Sequence, residues 1–532
     1  MHKVKHTIVR NERNDSEAFN ERTYDDYEYS PATFCDSTES WRWLDSDQLV
    51  AAGASVRVAS AMKGSAAGSD VKTTGALRQY AAACSASLMV MTTGAWLGWP
   101  SPAIKKLLAN QTEMVVNHEQ ISWVVSLMDA GSAVSPIPAG FLMDVIGRKA
   151  ILLLTGLLFA VTWVMPLVMQ TPLVLYIARF LAGMGKGVAF TVAPMYIGEI
   201  ASTGIRGALS TMFAGLLWTG TMFEFGFGPF ISYNALLILS FVMPVAFLAT
   251  FIFMPESPYY LVMKRRNEDA RKALKWLRNC PSVQPGDDID ANPVEQELKD
   301  MKKNVSEEMQ NKGSFKDLVT SRSNRRAAVI VLLVSMFQRT CGISPMLAYS
   351  SVTLPETGTF IGPNQIIVVF GFILTFSNFL ATPLVDRLGR KPLLIFSGAG
   401  CGIVTCISAI FYYVHHKTDI DTSSFLWVPY VGICCFGLTH SIGIGGIPHT
   451  LLSELFPQNV KCYAASIASI TFALSSFAIN KVYITVSASV GVWAMFTFFA
   501  FNGLMCALFS AFVVFETKGK TFAEIQRILH KP

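Results

Sequence analysis

Apolar runs of about twenty residues, the length that crosses a hydrocarbon core, recur between short polar breaks from about residue 80 onward. They predict helices over 80–100, 120–142, 150–169, 172–197, 207–229 and 233–254. Six more follow over 327–352, 363–385, 392–414, 425–452, 463–485 and 491–515. The pattern predicts an all-α membrane protein of twelve transmembrane helices, in two pseudo-symmetric six-helix halves at 80–254 and 327–515. Residues 1–79 are polar, without apolar periodicity, and are expected to form a disordered cytosolic tail. Residues 255–326 read as a partly helical linker and 516–532 as a second tail.

Charge orients this pattern. Lys264, Arg265, Arg266, Arg271, Lys272, Lys275 and Arg278 crowd the linker, which the positive-inside rule places in the cytosol. Six helices on either side then put both termini in the cytosol, and the expected location is the cell membrane. The sequon at Asn110, Gln111 and Thr112 falls in the first external loop, making Asn110 the candidate glycosylation site.

Composition removes several function classes. Hydrophobic residues make up 52% and charged residues 15% of the chain, which fits a lipid bilayer better than a soluble enzyme. A net charge of +6, dispersed along the chain, gives no nucleic-acid partner. The ten cysteines include no C-x-x-C, so neither a metal site nor a disulfide framework is expected. With no P-loop and no enzyme signature, no cofactor is expected either.

The halves share a phrase. Asp144, Val145, Ile146, Gly147, Arg148 and Lys149 follow the second helix, and Asp386, Arg387, Leu388, Gly389, Arg390 and Lys391 follow the eighth. Repeats of this kind accompany transporters whose halves rock about a midplane site. Basic groups at helix ends meet the partial negative charge of helix C-termini, and Asp144, Glu199, Asp386 and Glu454 offer charge-assisted partners to Arg148, Arg206 and Arg390. Together with Lys149 and Lys391 they are candidates for a cytosolic lock, with Glu199 the first partner expected for Arg390. The alternative is that they serve topology alone.

These phrases resemble the sugar porters of the major facilitator superfamily. The resemblance extends to Arg179 and Gly183, to Tyr196, Gly198, Glu199, Ile200, Arg206 and Gly207, and to Pro255, Glu256, Ser257 and Pro258. It continues through Glu454, Leu455 and Phe456 and then Glu516, Thr517, Lys518 and Gly519, so it covers about residues 80–525. The segment Gly98, Trp99, Pro100, Ser101, Pro102, Ala103 is most similar to the insect facilitated trehalose transporters. The resemblance implies facilitative transport of trehalose or a hexose, by a monomer, through a cavity lined by helices one, four, five, seven, eight, ten and eleven.

The sugar-site pattern departs from the family at several positions. Where sugar porters carry Gln-Gln-x-x-Gly-x-Asn, this chain has Gln338, Arg339, Thr340, Cys341, Gly342, Ile343 and Ser344. Ala214, Leu374 and His449 stand where the resemblance implies glutamine, asparagine and tryptophan. Gln338, Arg339, Ser344, His449, Thr93 and Asn480 remain the candidates for substrate contact. Asp129 and Lys186 are further intramembrane charges, which must face protein or water and which either serve the site or pair as structural glue. Helix one carries no acid between Arg78 and Glu113, which favours a uniporter over a proton-coupled carrier. Two other readings stay open: a carrier of a small organic anion, suggested by Lys186, Arg339 and His449, and a nontransporting sugar sensor with a signalling tail.

Overall fold

The computed structural model describes residues 66–109, 112, 114–202, 204–279, 293–310, 315–356 and 362–530, and among them every regular element is helical. Most of the expected N-terminal tail, residues 1–65, lies outside the described residues, as does Asn110. Residues 66–79, expected in the tail, instead begin the first long helix.

In the first half, α1 (Ala66–Gly98) and α2 (Pro100–Leu108) form one span and α3 (His118–Val134) and α4 (Pro136–Ile146) a second. They are followed by α5 (Arg148–Val168), α6 (Pro172–Ile200), α7 (Arg206–Phe227) and α8 (Tyr233–Phe251). The linker holds α9 (Pro258–Met263), α10 (Asn267–Arg278), α11 (Pro293–Gln310) and α12 (Phe315–Thr320). The second half opens with a span split into α13 (Arg322–Thr340) and α14 (Ile343–Thr353), followed by α15 (Pro363–Leu388) and α16 (Arg390–Lys417). Another split span, α17 (Val428–Ile442) and α18 (Ile447–Leu455), precedes α19 (Gln458–Ser489), α20 (Val492–Phe512) and a terminal α21 (Phe522–His530). Among the described residues, ten spans are long and apolar enough to cross a membrane, and the α3–α4 unit and α7 complete the expected twelve.

Four spans that the apolar pattern predicts as continuous are broken. Pro100, Pro136 and Pro448 stand in the first turn of α2, α4 and α18, where a missing N–H costs nothing. Around these three breaks the sequence stays largely apolar, so hydropathy alone does not reveal them. Helix starts are capped locally: Asn117 and Gln120 exchange side-chain and backbone bonds at α3, and Thr171 accepts from Val174 N at α6.

Outward faces are apolar. Leu154, Leu157 and Val161 on α5, and Ile403, Ile407 and Ile410 on α16, are exposed at three- and four-residue spacing. Such stripes suit contact with lipid chains. In the linker, α10 buries Ala270, Ala273, Leu274 and Leu277, while Arg271 and Arg278 pair with Glu295 and Glu297 of α11 at 2.5 and 2.6 Å.

Candidate functional site

The site begins with two helices that approach closely. A Cβ on Gly183 of α6 would lie 2.0 Å from Met128 O of α3, and one on Gly131 would lie 2.1 Å from Phe180 O. Only glycine permits this crossing, the small-residue packing that brings helix backbones together in membranes. It brings Asp129 and Lys186 face to face, with Oδ1 and Nζ 2.7 Å apart and both side chains 5% exposed. Two turns away, Arg179 donates to the carbonyls of Val124 and Trp96 at 2.8 and 2.7 Å and stacks against Trp96 and Trp99. The glycine run 183–187 therefore serves helix packing.

The second half completes the network. Ser476 Oγ and Asn480 Nδ2 on α19 donate to Asp129 Oδ2 at 2.7 and 2.8 Å. Ser476 also bonds Ser344 at 2.8 Å, and Ser344 accepts from Arg339 Nη1 at 3.1 Å. The Arg339 guanidinium lies 3.5 Å from the centre of the Phe472 ring, close enough for a cation–π contact. Among the described residues, its Nε and the Asn480 Oδ1 have no hydrogen-bond partner.

Two cavities adjoin these residues. One of about 310 Å³ is lined by Asp129, Arg179, Arg339, Ser344, Ser476 and Asn480 with apolar groups from α1, α3 and α14. The other, about 560 Å³, includes Ser132, Lys186, Ser335, His449, Ser469 and Phe472. Their walls come from spans one, two, four, seven, ten and eleven. The expected contribution of spans five and eight is absent from these walls, because the two pack on each other: Phe225 faces Phe370 at 6.4 Å, and Thr375 donates to Trp218 O. Span two, not expected to line the cavity, supplies its only carboxylate among the lining residues.

Not every sequence candidate reaches the cavities. Thr93 is buried and donates to Met89 O of its own helix. Gln338 Nε2 donates to Gly445 O at 2.7 Å, joining the breaks of the seventh and tenth spans. Arg339, Ser344, His449 and Asn480 do line them. Ser476, which the sequence reading passed over, sits one turn before Asn480 on the same face of α19, and that spacing was its available signal.

The repeated motifs form two matching clusters. Arg148 bonds Glu199 at 3.1 Å and Asp144 at 3.3 Å, and Arg390 bonds Glu454 at 2.8 Å. The expected Arg390–Glu199 pairing across the halves gives way to pairs within each half. Glu256 accepts the backbone N–H groups of Arg148 and Lys149, and Glu516 those of Arg390 and Lys391. The intervening Gly147 and Gly389 have φ of 102° and 95°, and a Cβ on either would meet the clamping carboxylate. Arg206 is exposed and pairs with no carboxylate among the described residues, while the side chain of Asp386 lies outside them.

At the end away from the motifs, the halves touch directly. Ser101 and Ser350 hydroxyls are 3.3 Å apart, Ser351 donates to Ser101 O, and Lys105 pairs with Glu356. Lys481 donates to Ser122 and lies 3.9 Å from the Trp123 ring centre.

Twelve spans in two halves, repeated loop clusters and polar cavities between the halves define a membrane transporter of the major facilitator fold. The chain belongs to the sugar (and other) transporter family, whose model matches residues 71–529. Among its relatives, the facilitated trehalose transporter Tret1 of Bombyx mori is 29% identical over 84% of this chain and 86% of its own length. That of Culex quinquefasciatus is 30% identical over 84% and 85%. Among solved structures, the inward-open xylose transporter XylE from E. coli aligns over 84% of this chain and 98% of its own, with a TM-score of 0.68 at 20% identity.

Proposed function

We propose that the protein carries a neutral sugar, trehalose or a hexose, across the plasma membrane by facilitated diffusion. The observation that carries this reading is the polar network at the junction of the halves, where Asp129 of one half meets Ser476 and Asn480 of the other beside two cavities. Hydroxyl and amide groups there suit a polyol, and family membership supplies the transport class. In this reading the motif-bearing loops and both termini face the cytosol, one chain is the working unit, and the halves rock to expose the cavities to either side. The absence of an acid in span one between Arg78 and Glu113 supports uniport.

Uptake of labelled trehalose and glucose into vesicles containing purified protein tests the proposal. Uptake above empty vesicles, equilibrating without accumulation and unchanged by an imposed proton gradient, is the expected result. Absence of uptake for both sugars would overturn it.

A further inference from the structure

The geometry points to a hydroxylated organic anion, such as a sugar acid, as a substrate of this cavity, held through its carboxylate by Arg339. The inference rests on the reading that the cavities between the halves form the transport site. Among the residues lining them, Arg179, Lys186 and Arg339 are cationic and Asp129 is the single carboxylate. Both Asp129 oxygens are committed, Oδ1 to Lys186 and Oδ2 to Ser476 and Asn480. Arg179 is committed too, to the backbone carbonyls of Val124, Trp96 and Val125.

Arg339 is left over. Among the described residues no carboxylate lies within ion-pair distance of it, one nitrogen bonds Ser344, and its Nε has no partner. A guanidinium inside a membrane protein with no carboxylate in direct contact is costly, and its fork of N–H donors matches a carboxylate in two parallel bonds. Phe472, stacked against its face, holds the plane so that the donor edge is the part left for a ligand. The second demand comes from Asn480: among the described residues its Oδ1 is an acceptor without a donor, which a ligand hydroxyl satisfies and a bare carboxylate does not. A sugar acid carries both groups on one small frame. His449 adds a titratable side chain to the wall of the larger cavity.

The test is uptake of labelled glucuronate beside labelled glucose, in vesicles made from the full-length protein. The expected result is glucuronate uptake above empty vesicles, with unlabelled gluconate competing. Arg339→Gln should lower the ratio of glucuronate to glucose uptake by about tenfold or more, equivalent to about 1.4 kcal/mol, and Arg339→Lys, which keeps the charge but loses the planar fork, should fall between the two. If Arg339→Gln does not fold, competition by gluconate in the unmodified protein still decides. Glucose or trehalose uptake with no glucuronate uptake and no competition would overturn the inference and leave the neutral-sugar reading standing. Glucuronate uptake without neutral-sugar uptake would do the reverse, and uptake of neither would sink both.

Discussion

Arg390 lies 2.8 Å from Glu454, and the two belong to the same half of the molecule. Its counterpart, Arg148 with Glu199, repeats the arrangement at 3.1 Å in the other half. These pairs brace each half from within, where the sequence suggests a clasp between halves. Arg390→Glu should therefore lower stability by about 2 kcal/mol, the scale of a lost charge-assisted hydrogen bond. Combining it with Glu454→Arg should recover much of that loss, whereas combining it with Glu199→Arg should not. Thermal unfolding of the purified variants distinguishes the two partners.

The Asp129–Lys186 pair is nearly inaccessible, with both side chains 5% exposed, so removing one member strands the other. Asp129→Asn or Lys186→Met alone should cost about 3–5 kcal/mol. The double variant should cost much less than the sum, because neither member of the pair is left stranded without the other. Additive losses across this cycle would show that the pair is not energetically coupled.

The motif-free end must part if the cavities are to open on that side. Ser101 and Ser350, with hydroxyls 3.3 Å apart, report on it. Replacing both by cysteine should allow an oxidant to join them, since their side-chain tips already stand near bonding reach. Oxidation should abolish uptake and a reductant should restore it, while each single variant remains insensitive. Full uptake by the cross-linked protein would show that this contact persists throughout the cycle.

Glu516 gives the second-half cluster a pH signature. Burial alone would raise its pKa, but backbone N–H bonds from Lys518, Arg390, Lys391 and Thr517 outweigh burial and hold the carboxyl below its usual range. A depressed folded-state pKa means that the unfolded chain binds the proton more readily, so the contribution rises with pH and is lost as pH falls through the folded value. The stability gap between the unmodified protein and Glu516→Gln should be full above about pH 5, past the ordinary glutamate pKa of about 4.3, and should shrink on acidification below it. A gap that widens in acid would contradict the clamp.

Much of the architecture was legible because spans of lipid-crossing length leave a strong hydropathy signal. The breaks near Ser135 and Gly443 were not, since hydropathy stays high on either side of them and only the fold shows, for example, that Gly443 packs against Leu393 O of α16. The site was partly legible. Charges such as Asp129 and Lys186 stand out against an apolar background, yet only the fold shows that Ser476 joins them and that Thr93 turns to its own backbone. Glu256 and Glu516 could have been found as the acids that close each set of six spans, but their role depends on loops over a hundred residues distant.

The carboxylate clamps also carry a consequence for biosynthesis. Glu256 reaches back 108 residues to Arg148, so everything needed to fasten the first six spans is synthesised before the second six begin. The second set waits for Glu516, 126 residues after Arg390. Throughout that interval the first bundle can stand finished in the bilayer while the second is still open at its loop. An assembling chain therefore offers the machinery that inspects new membrane proteins one closed half and one open one, and the last fastening to be made is the one at Glu516.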